Sequence, residues 1–320
     1  MTTRPHIIGR ASDLRRLDML VETASLVAVV GSGGVGKTAL VTAWTPTDAV
    51  FIGLSGCASR EDVLAAIARS LDAAPGLARD PEEVATFLAD HGQGRTLILD
   101  NCEHVLDSVR WLLARWRPLP CVLVLTSRIA SEDDRERVLE LGPLAEEDAL
   151  ALLRARFAEV GGPPIDPGAG ADLARALDCL PLALELAAGW AGLLGPDEML
   201  ALAPQVLLRK IDSTNEPQDT IDESLARSWS LLPETVRRVL MDCATFCGGF
   251  DLAAAKGVTG QTTAALLDAL ETLRRQGLIR RDAVSARPFY LYHLVRDFVR
   301  RTHSSDDAFA RHGAWALSFA

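Results

Sequence analysis

The octapeptide Gly31-Ser32-Gly33-Gly34-Val35-Gly36-Lys37-Thr38 leaves this chain few folds to choose from. It fits G-x-x-x-x-G-K-[ST], and its flanks have the character that pattern requires. Residues 25–30, SLVAVV, are apolar and partly β-branched, which predicts a buried parallel strand. A helix is predicted from Lys37 to about Trp44. Between them the glycines let the backbone curl, so that N–H groups of Gly33, Gly34, Val35 and Gly36 aim inward at phosphate oxygens. The helix N-terminus behind the loop adds its dipole. Lys37 is placed to reach β- and γ-phosphates, and Thr38 to offer a hydroxyl to Mg²⁺. Composition singles out the lysine. Of 33 basic residues 30 are Arg, and the three Lys are 37, 210 and 256. Arg is planar and bulkier than a compact ammonium and does not suit the same cradle. Lys210 and Lys256 lie outside every motif found.

Three more strands are expected at Ala49–Leu54, Thr96–Leu99 and Cys121–Leu125, and a fifth at Arg137–Leu141. Helical patterns at Arg60–Leu71, Pro81–His91 and Val105–Trp116 separate them. Strands alternating with helices predict an α/β domain over 1–142, with a parallel sheet covered on both faces. After Gly142-Pro143 the strand signal stops, and 143–211 reads as an all-α subdomain. Residues 212–220, DSTNEPQDT, read as a linker. Helices at about 234–246, 251–257 and Thr262–Gln276, followed by short strands Leu278–Arg281 and Pro288–Tyr292, predict a winged helix within 212–303. The last residues, within 304–320, are helical and still amphipathic where the chain stops, so a further helical region is expected.

The formal net charge of −10 disfavours general nucleic-acid binding, which depends on Lys and Arg neutralising phosphates. Yet residues 273–303 hold eight Arg against two Asp. The six Cys are scattered in apolar settings and read as small buried hydrophobes; Cys243 and Cys247 are expected on one helix face, without the partners a zinc site needs. Reduced Cys and a polar N-terminus point to the cytoplasm, and no apolar run is long enough to span a membrane.

Two strand ends carry further chemistry. Leu97-Ile98-Leu99-Asp100 is apolar and ends in an acid, which would sit beside the phosphate loop and hold Mg²⁺. Asn101 cannot act as a base. Glu103 is either the group that orients an attacking water or an acid in the solvated first turn of the next helix. Leu123–Arg128 ends in Thr-Ser-Arg, at the sheet edge where ligand contacts arise. Arg128 is a γ-phosphate sensor or a surface residue at a strand end.

The ordered set of motifs resembles the signal-transduction ATPases with numerous domains, the STAND class. It is most similar to the bacterial NB-ARC-like module of large regulators such as LuxR-type and antibiotic-regulator ATPases. The matching segments are Ile7-Ile8-Gly9-Arg10, the phosphate loop, LDNCEH at 99–104, LTSR at 125–128, LPLALELAA at 180–188, and SLARSWSLLPE…FCGGFDLAAA at 224–255. The resemblance implies that Ile8 and its neighbours hold adenine through the backbone, that Arg10 anchors the N-terminal segment, and that Arg128 senses the γ-phosphate. It implies that Pro181 packs on adenine or ribose, although a Pro there also presets a helix start. Two departures stand out. The family's Gly-Leu-Pro is Cys179-Leu180-Pro181 here. In LYHLVR (291–296), Tyr292 falls where the family's phosphate-contacting His is expected, with His293 one place later.

These readings converge on a switch that holds ADP closed, opens on exchange for ATP, and hydrolyses slowly. The resemblance further implies unidentified effector or sensor partners and self-association in the ATP state. Two other classes remain at this stage. One is a DNA-binding winged-helix regulator, although Arg274, Arg275, Arg280 and Arg281 are equally suited to face acidic surfaces of the α/β domain. The other is an AAA+-like oligomeric motor, for which Arg135, Arg137, Arg154 and Arg156 are undifferentiated finger candidates.

Overall fold

The computed structural model describes residues 7–46, 49–71, 80–91, 95–119, 121–201, 221–246, 248–276, 278–281, 285–303 and 306–317. The 212–220 linker and Lys210 lie outside them. The chain divides into two compact units. One comprises residues up to Gly31 with Gly36–Gly142; the other comprises Ser32–Val35 with the chain from Pro143 onward.

The first unit is an α/β layer structure. Its elements are α1 (Ala11–Thr23), β1 (Leu26–Val30), α2 (Lys37–Trp44), β2 (Val50–Gly53), α3 (Arg60–Ser70), α4 (Pro81–His91), β3 (Thr96–Asp100), α5 (Leu106–Arg115), β4 (Val122–Ser127) and β5 (Arg137–Glu140). The strands form one parallel sheet in the order β2-β3-β4-β1-β5. Every residue of β1 and β3 is buried, as their unbroken apolar runs require. Ser59 caps α3 in a reciprocal box with Asp62. Trp116 closes the core beneath α5 and donates its indole N–H to Pro81 O at 2.9 Å. Arg135, one of the undifferentiated arginines, donates to the α5 terminal carbonyls of Leu113 and Trp116, both at 2.7 Å, and to Asp133. Those bonds satisfy carbonyls that a helix end leaves open.

The second unit begins with α6 (Glu146–Glu159), α7 (Pro167–Ala176), α8 (Pro181–Ala188) and α9 (Pro196–Ala201). Pro167 and Pro181 occupy the first turns of α7 and α8, where no intrahelical N–H is lost. The turn before α8 holds Asp178 at φ 55° and Cys179 at φ 52°. Cys179 therefore keeps a left-handed backbone that favours glycine, the residue of the motif it resembles, at a cost of about 1 kcal/mol. Asp178 uses the turn: its Oδ2 accepts the N–H of Leu294 at 3.2 Å.

The chain continues through α10 (Ile221–Leu231), α11 (Glu234–Cys243), α12 (Leu252–Thr259), α13 (Thr263–Arg275), an antiparallel pair β6 (Ile279–Arg281) and β7 (Phe289–Leu291), α14 (His293–His303) and α15 (Asp306–Leu317). The sequence predicts no helix between the 212–220 linker and residue 234. Helix α10 is rich in Ser and acids, which weakens its local signal, and its Leu225 and Trp229 pack on the shared core. Helix α11 ends at Cys243; the expected face shared with Cys247 involves a residue outside the described ones. Arg274 and Arg275 have an acidic partner within their own helix. Both bond Glu271 on their own helix, at 2.9–3.0 Å. Those bonds, Arg274's first, hold the Glu271 carboxyl down to about 2.

Helix α15 lies on α11 and α12. Arg311 pairs with buried Asp242. Trp315 fits against Gly257, where an added Cβ would collide with the indole. Gly257→Ala is expected to lower stability by about 1–3 kcal/mol through overpacking, despite alanine's better helix propensity. A thermal melt reads the sign, and a higher melting temperature would mean that Trp315 does not seat there.

Candidate nucleotide-binding site

Sheet order positions the chemistry. Strand β4 lies between β1, which feeds the phosphate loop, and β3, which ends in Asp100. The register pairs Val30 with Ser127 and Leu99 with Leu125, so the three strand ends meet at one edge. The Gly31 N–H donates to Ser127 O at 3.3 Å.

Gly34 (φ 76°) and Gly36 (φ 96°) carry the curl of the loop in the region that favours glycine. Val35 is fully buried, so its contribution to the cradle is its backbone. Gly36 is the N-cap of α2 and has no side chain to satisfy the open N–H groups behind it. Gly33 and Ser32 line a small cavity of about 20 Å³ with Leu180, Gln276 and Tyr292. The Leu182 N–H, next to Pro181, donates to Gly34 O at 3.2 Å. The Pro181 ring sits at the start of α8, consistent with the capping alternative. His293 is the first residue of α14; its side chain is outside the described part.

The Lys37 ammonium donates to Gly31 O at 2.9 Å. Burial pushes its pKa down to about 8, against the raising effect of Glu103. Arg128 lowers it further and Asp100 raises it.

Asp100 is buried and receives two hydroxyl groups. Thr38 Oγ1 donates to its carboxylate at 2.9 and 3.1 Å, and Thr126 Oγ1 donates to Oδ1 at 2.6 Å. Thr126 also accepts the Asn101 N–H at 2.9 Å. Thr126 is not among the site residues expected from the sequence. Its signal was present in LTSR, since a residue in that strand falls opposite the acid once β4 is placed beside β3. Asn101 has φ 65°, a conformation Asn tolerates better than most residues, so its presence after Asp100 has a backbone reason.

Glu103 does not lie in a solvated helix turn. It precedes α5, and its side chain is 6% exposed. Arg128, 3% exposed, is not a surface residue: its Nε donates to Glu103 Oε1 at 3.1 Å. The other carboxylate oxygen, Oε2, is buried without a hydrogen-bond partner among the described residues. Arg10 is also buried. It bonds Asp13 at 3.2 Å and the Gly142 carbonyl at 2.8 Å, tying the segment after Ile8 to the end of the α/β unit.

No family model matches the chain. It is 28% identical over 283 residues to an uncharacterized protein of Mycobacterium tuberculosis, covering 80% of this chain and 70% of that one. It is 29% identical over 298 residues to a candidate HTH-type transcriptional regulator of the same organism, covering 85% of this chain and 33% of the regulator. The chain thus spans about a third of that regulator's length. Among solved structures, a Walker-type ATPase of Pyrococcus abyssi superposes with a TM-score of 0.64 at 15% identity, over 93% of this chain and 97% of its own. The parallel-sheet unit has the P-loop NTPase fold. A STAND protein of Pyrococcus horikoshii with a tetratricopeptide-repeat sensor aligns over 99% of this chain and 46% of its own, at 17% identity; its TM-score of 0.44 supports no argument. No helix among the described residues is long and apolar enough to cross a membrane.

Proposed function

We propose that the chain is an adenine-nucleotide switch of signal transduction, closed with ADP, open with ATP, and slow to hydrolyse. The observation that carries this reading is one sheet edge that gathers a half-buried lysine, a hydroxyl-bonded aspartate and a buried Arg–Glu pair. Each serves a different part of a nucleoside triphosphate. Lys37 and the loop N–H groups bind phosphates. Arg128 senses the γ-phosphate, and Glu103 orients water. Ile8 and Arg10 set the adenine side, and Pro181 closes it. His293, or Tyr292 at the small cavity, would report on the β-phosphate from a winged helix formed by 212–303. The helical region 143–211 would act as the lid, and 304–320 would begin a further helical region. The Mycobacterium regulator makes transcriptional control a reasonable output for such a switch.

The residues fit Mg²⁺. Thr38 and Asp100 are hard oxygen donors side by side, and Mg²⁺ takes few protein ligands beside water and phosphate. They would hold it, and it would neutralise charge on the β- and γ-phosphates. Asp100 is already oriented for this by Thr126.

The depressed lysine pKa gives the binding a pH dependence. Phosphate binds the protonated form, so nucleotide affinity is expected to be flat below pH 7 and to fall as pH rises through about 8. The fall should approach tenfold per pH unit, and calorimetric titration from pH 6.5 to 9.5 measures it. A pH-independent affinity would remove Lys37 from the phosphate contact. The same titrations with a coupled phosphate assay test the switch itself. Tight binding with slow turnover is expected, and fast steady-state hydrolysis by the monomeric chain would contradict it.

A further inference from the structure

We infer that the groove between α13 and the β6–β7 hairpin is a docking face for a second copy of this chain, paired with it across a two-fold axis by reciprocal contacts of unlike charge. Every residue involved belongs to the second unit, so the pairing needs no nucleotide. It is therefore a different event from the self-association in the ATP state that the family resemblance implies.

The groove has a volume of about 700 Å³. Helix α13 forms one wall with Leu267 and Asp268; the hairpin side forms the other with Arg281, Pro288 and Phe289. The hairpin wall is fixed from behind. Phe289 and Phe250 exchange both backbone hydrogen bonds, at 2.9 and 3.1 Å, and their rings lie 5.9 Å apart. A wall already ordered loses little freedom when a partner arrives. Leu267 stands 47% exposed on the opposite wall. A single exposed leucine is ordinary. One that borders an open groove lined by half-buried Leu252, Pro288 and Phe289 gives the same face both a projection and an apolar recess.

The charges select the occupant. Glu271 and Arg274 also line the groove, but they are bonded to each other at 2.9 and 3.0 Å. Asp251 caps α12, accepting the Ala254 N–H at 2.7 Å. Asp268 and Arg281 are left: both are exposed, and neither has an ion-pair partner among the described residues. The helix wall thus offers an open carboxylate and the hairpin wall an open guanidinium. Nucleic acid presents phosphates of one sign, which Asp268 and Glu271 oppose. A uniformly basic or acidic peptide suits one wall and opposes the other. A second copy of this face carries both signs and both shapes. In an isologous contact, residue i meets j while j meets i. Each Asp268 then meets the partner's Arg281, and each Leu267 turns toward the other copy's recess. A groove of this size suits an interface at the small end of the range, so a dissociation constant of about 10–100 μM is expected.

Sedimentation equilibrium on the full chain without nucleotide tests this. The wild type is expected to dimerise reversibly. Asp268→Arg and Arg281→Asp each set like charges opposite one another twice, and each should weaken pairing about 30-fold. The decisive sample is an equimolar mixture of the two variants. In a mixed dimer the introduced arginine faces the introduced aspartate, and the unaltered Arg281 faces the unaltered Asp268. The mixture should therefore pair within about threefold of the wild type. A wild type that stays monomeric at about 1 mM overturns the dimer. A dimer that neither single variant weakens overturns the assignment to this face, and so does a mixture that pairs no better than its components. Duplex DNA bound at low salt by a monomeric wild type and released in Arg281→Asp would give the face to nucleic acid and overturn the proposal as well. If either first variant does not fold, Asp268→Lys and Arg281→Glu carry the same readouts with the same signs. None of these outcomes depends on nucleotide binding, so the switch reading is tested separately.

Discussion

Lys37→Ala is expected to cost about 100-fold or more in ADP and ATP affinity while leaving the protein no less stable. The first half follows from removing a cation that would bind phosphate in a buried setting, where a charge-assisted hydrogen bond contributes about 1.5–3 kcal/mol and mutual reinforcement with the loop N–H groups adds more. The second half follows from burial. Lys37 has its folded pKa pushed down to about 8, so the fold disfavours the ammonium. The unfolded chain holds that proton more tightly. The resulting penalty is present in full below about pH 8, shrinks as pH rises toward 10.5, and is absent above it. At pH 7 the nucleotide-free alanine variant should therefore melt at or above the wild type, and the gap should close as pH rises. Calorimetric titration and melts at pH 7 and 10 measure both halves. A variant that loses stability and affinity together would mean that Lys37 holds the loop rather than the ligand.

Asp100→Asn carries the second large effect. Its carboxylate accepts from Thr38 and Thr126 and places a formal negative charge beside the Thr38 hydroxyl. The amide keeps the shape and one acceptor oxygen but loses that charge. The Mg²⁺-dependent gain in ATP affinity is expected to vanish and single-turnover hydrolysis to fall about 100-fold. Affinity for ATP without Mg²⁺ should change by no more than roughly threefold. Titrations with and without Mg²⁺ separate these terms. A variant that retained the metal-dependent gain would show that Asp100 serves Thr38 and Thr126 structurally and does not meet the metal.

What the sequence disclosed depended on how local each signal was. The sheet was legible because fully buried parallel strands must be written as apolar runs, and β1, β3 and β4 are. Lys37, Thr38 and Asp100 were legible because a loop, a helix start and a strand end fix them within a few residues. Thr126 was not, since its role exists only once β4 lies between β1 and β3, a fact of strand order and not of spacing. The Glu103–Arg128 pair joins residues 25 apart in the same way. Seen singly, each residue had an ordinary surface reading, and burial of the pair removes both readings. Helix α10 escaped notice because its stability comes from packing Trp229 and Leu225 onto the unit's core rather than from its own composition. Cys179 shows the reverse case: the residue departs from the glycine of the motif it resembles, and the backbone keeps the left-handed conformation.

The proposed switch requires, before anything else, an adenine nucleotide on the loop that ends in Lys37. The most direct measurement is to denature the purified protein and identify what it releases by chromatography. Near-stoichiometric adenine nucleotide, mainly ADP, is expected from the wild type and none from Lys37→Ala. A Lys37→Ala protein that still released stoichiometric nucleotide would contradict it.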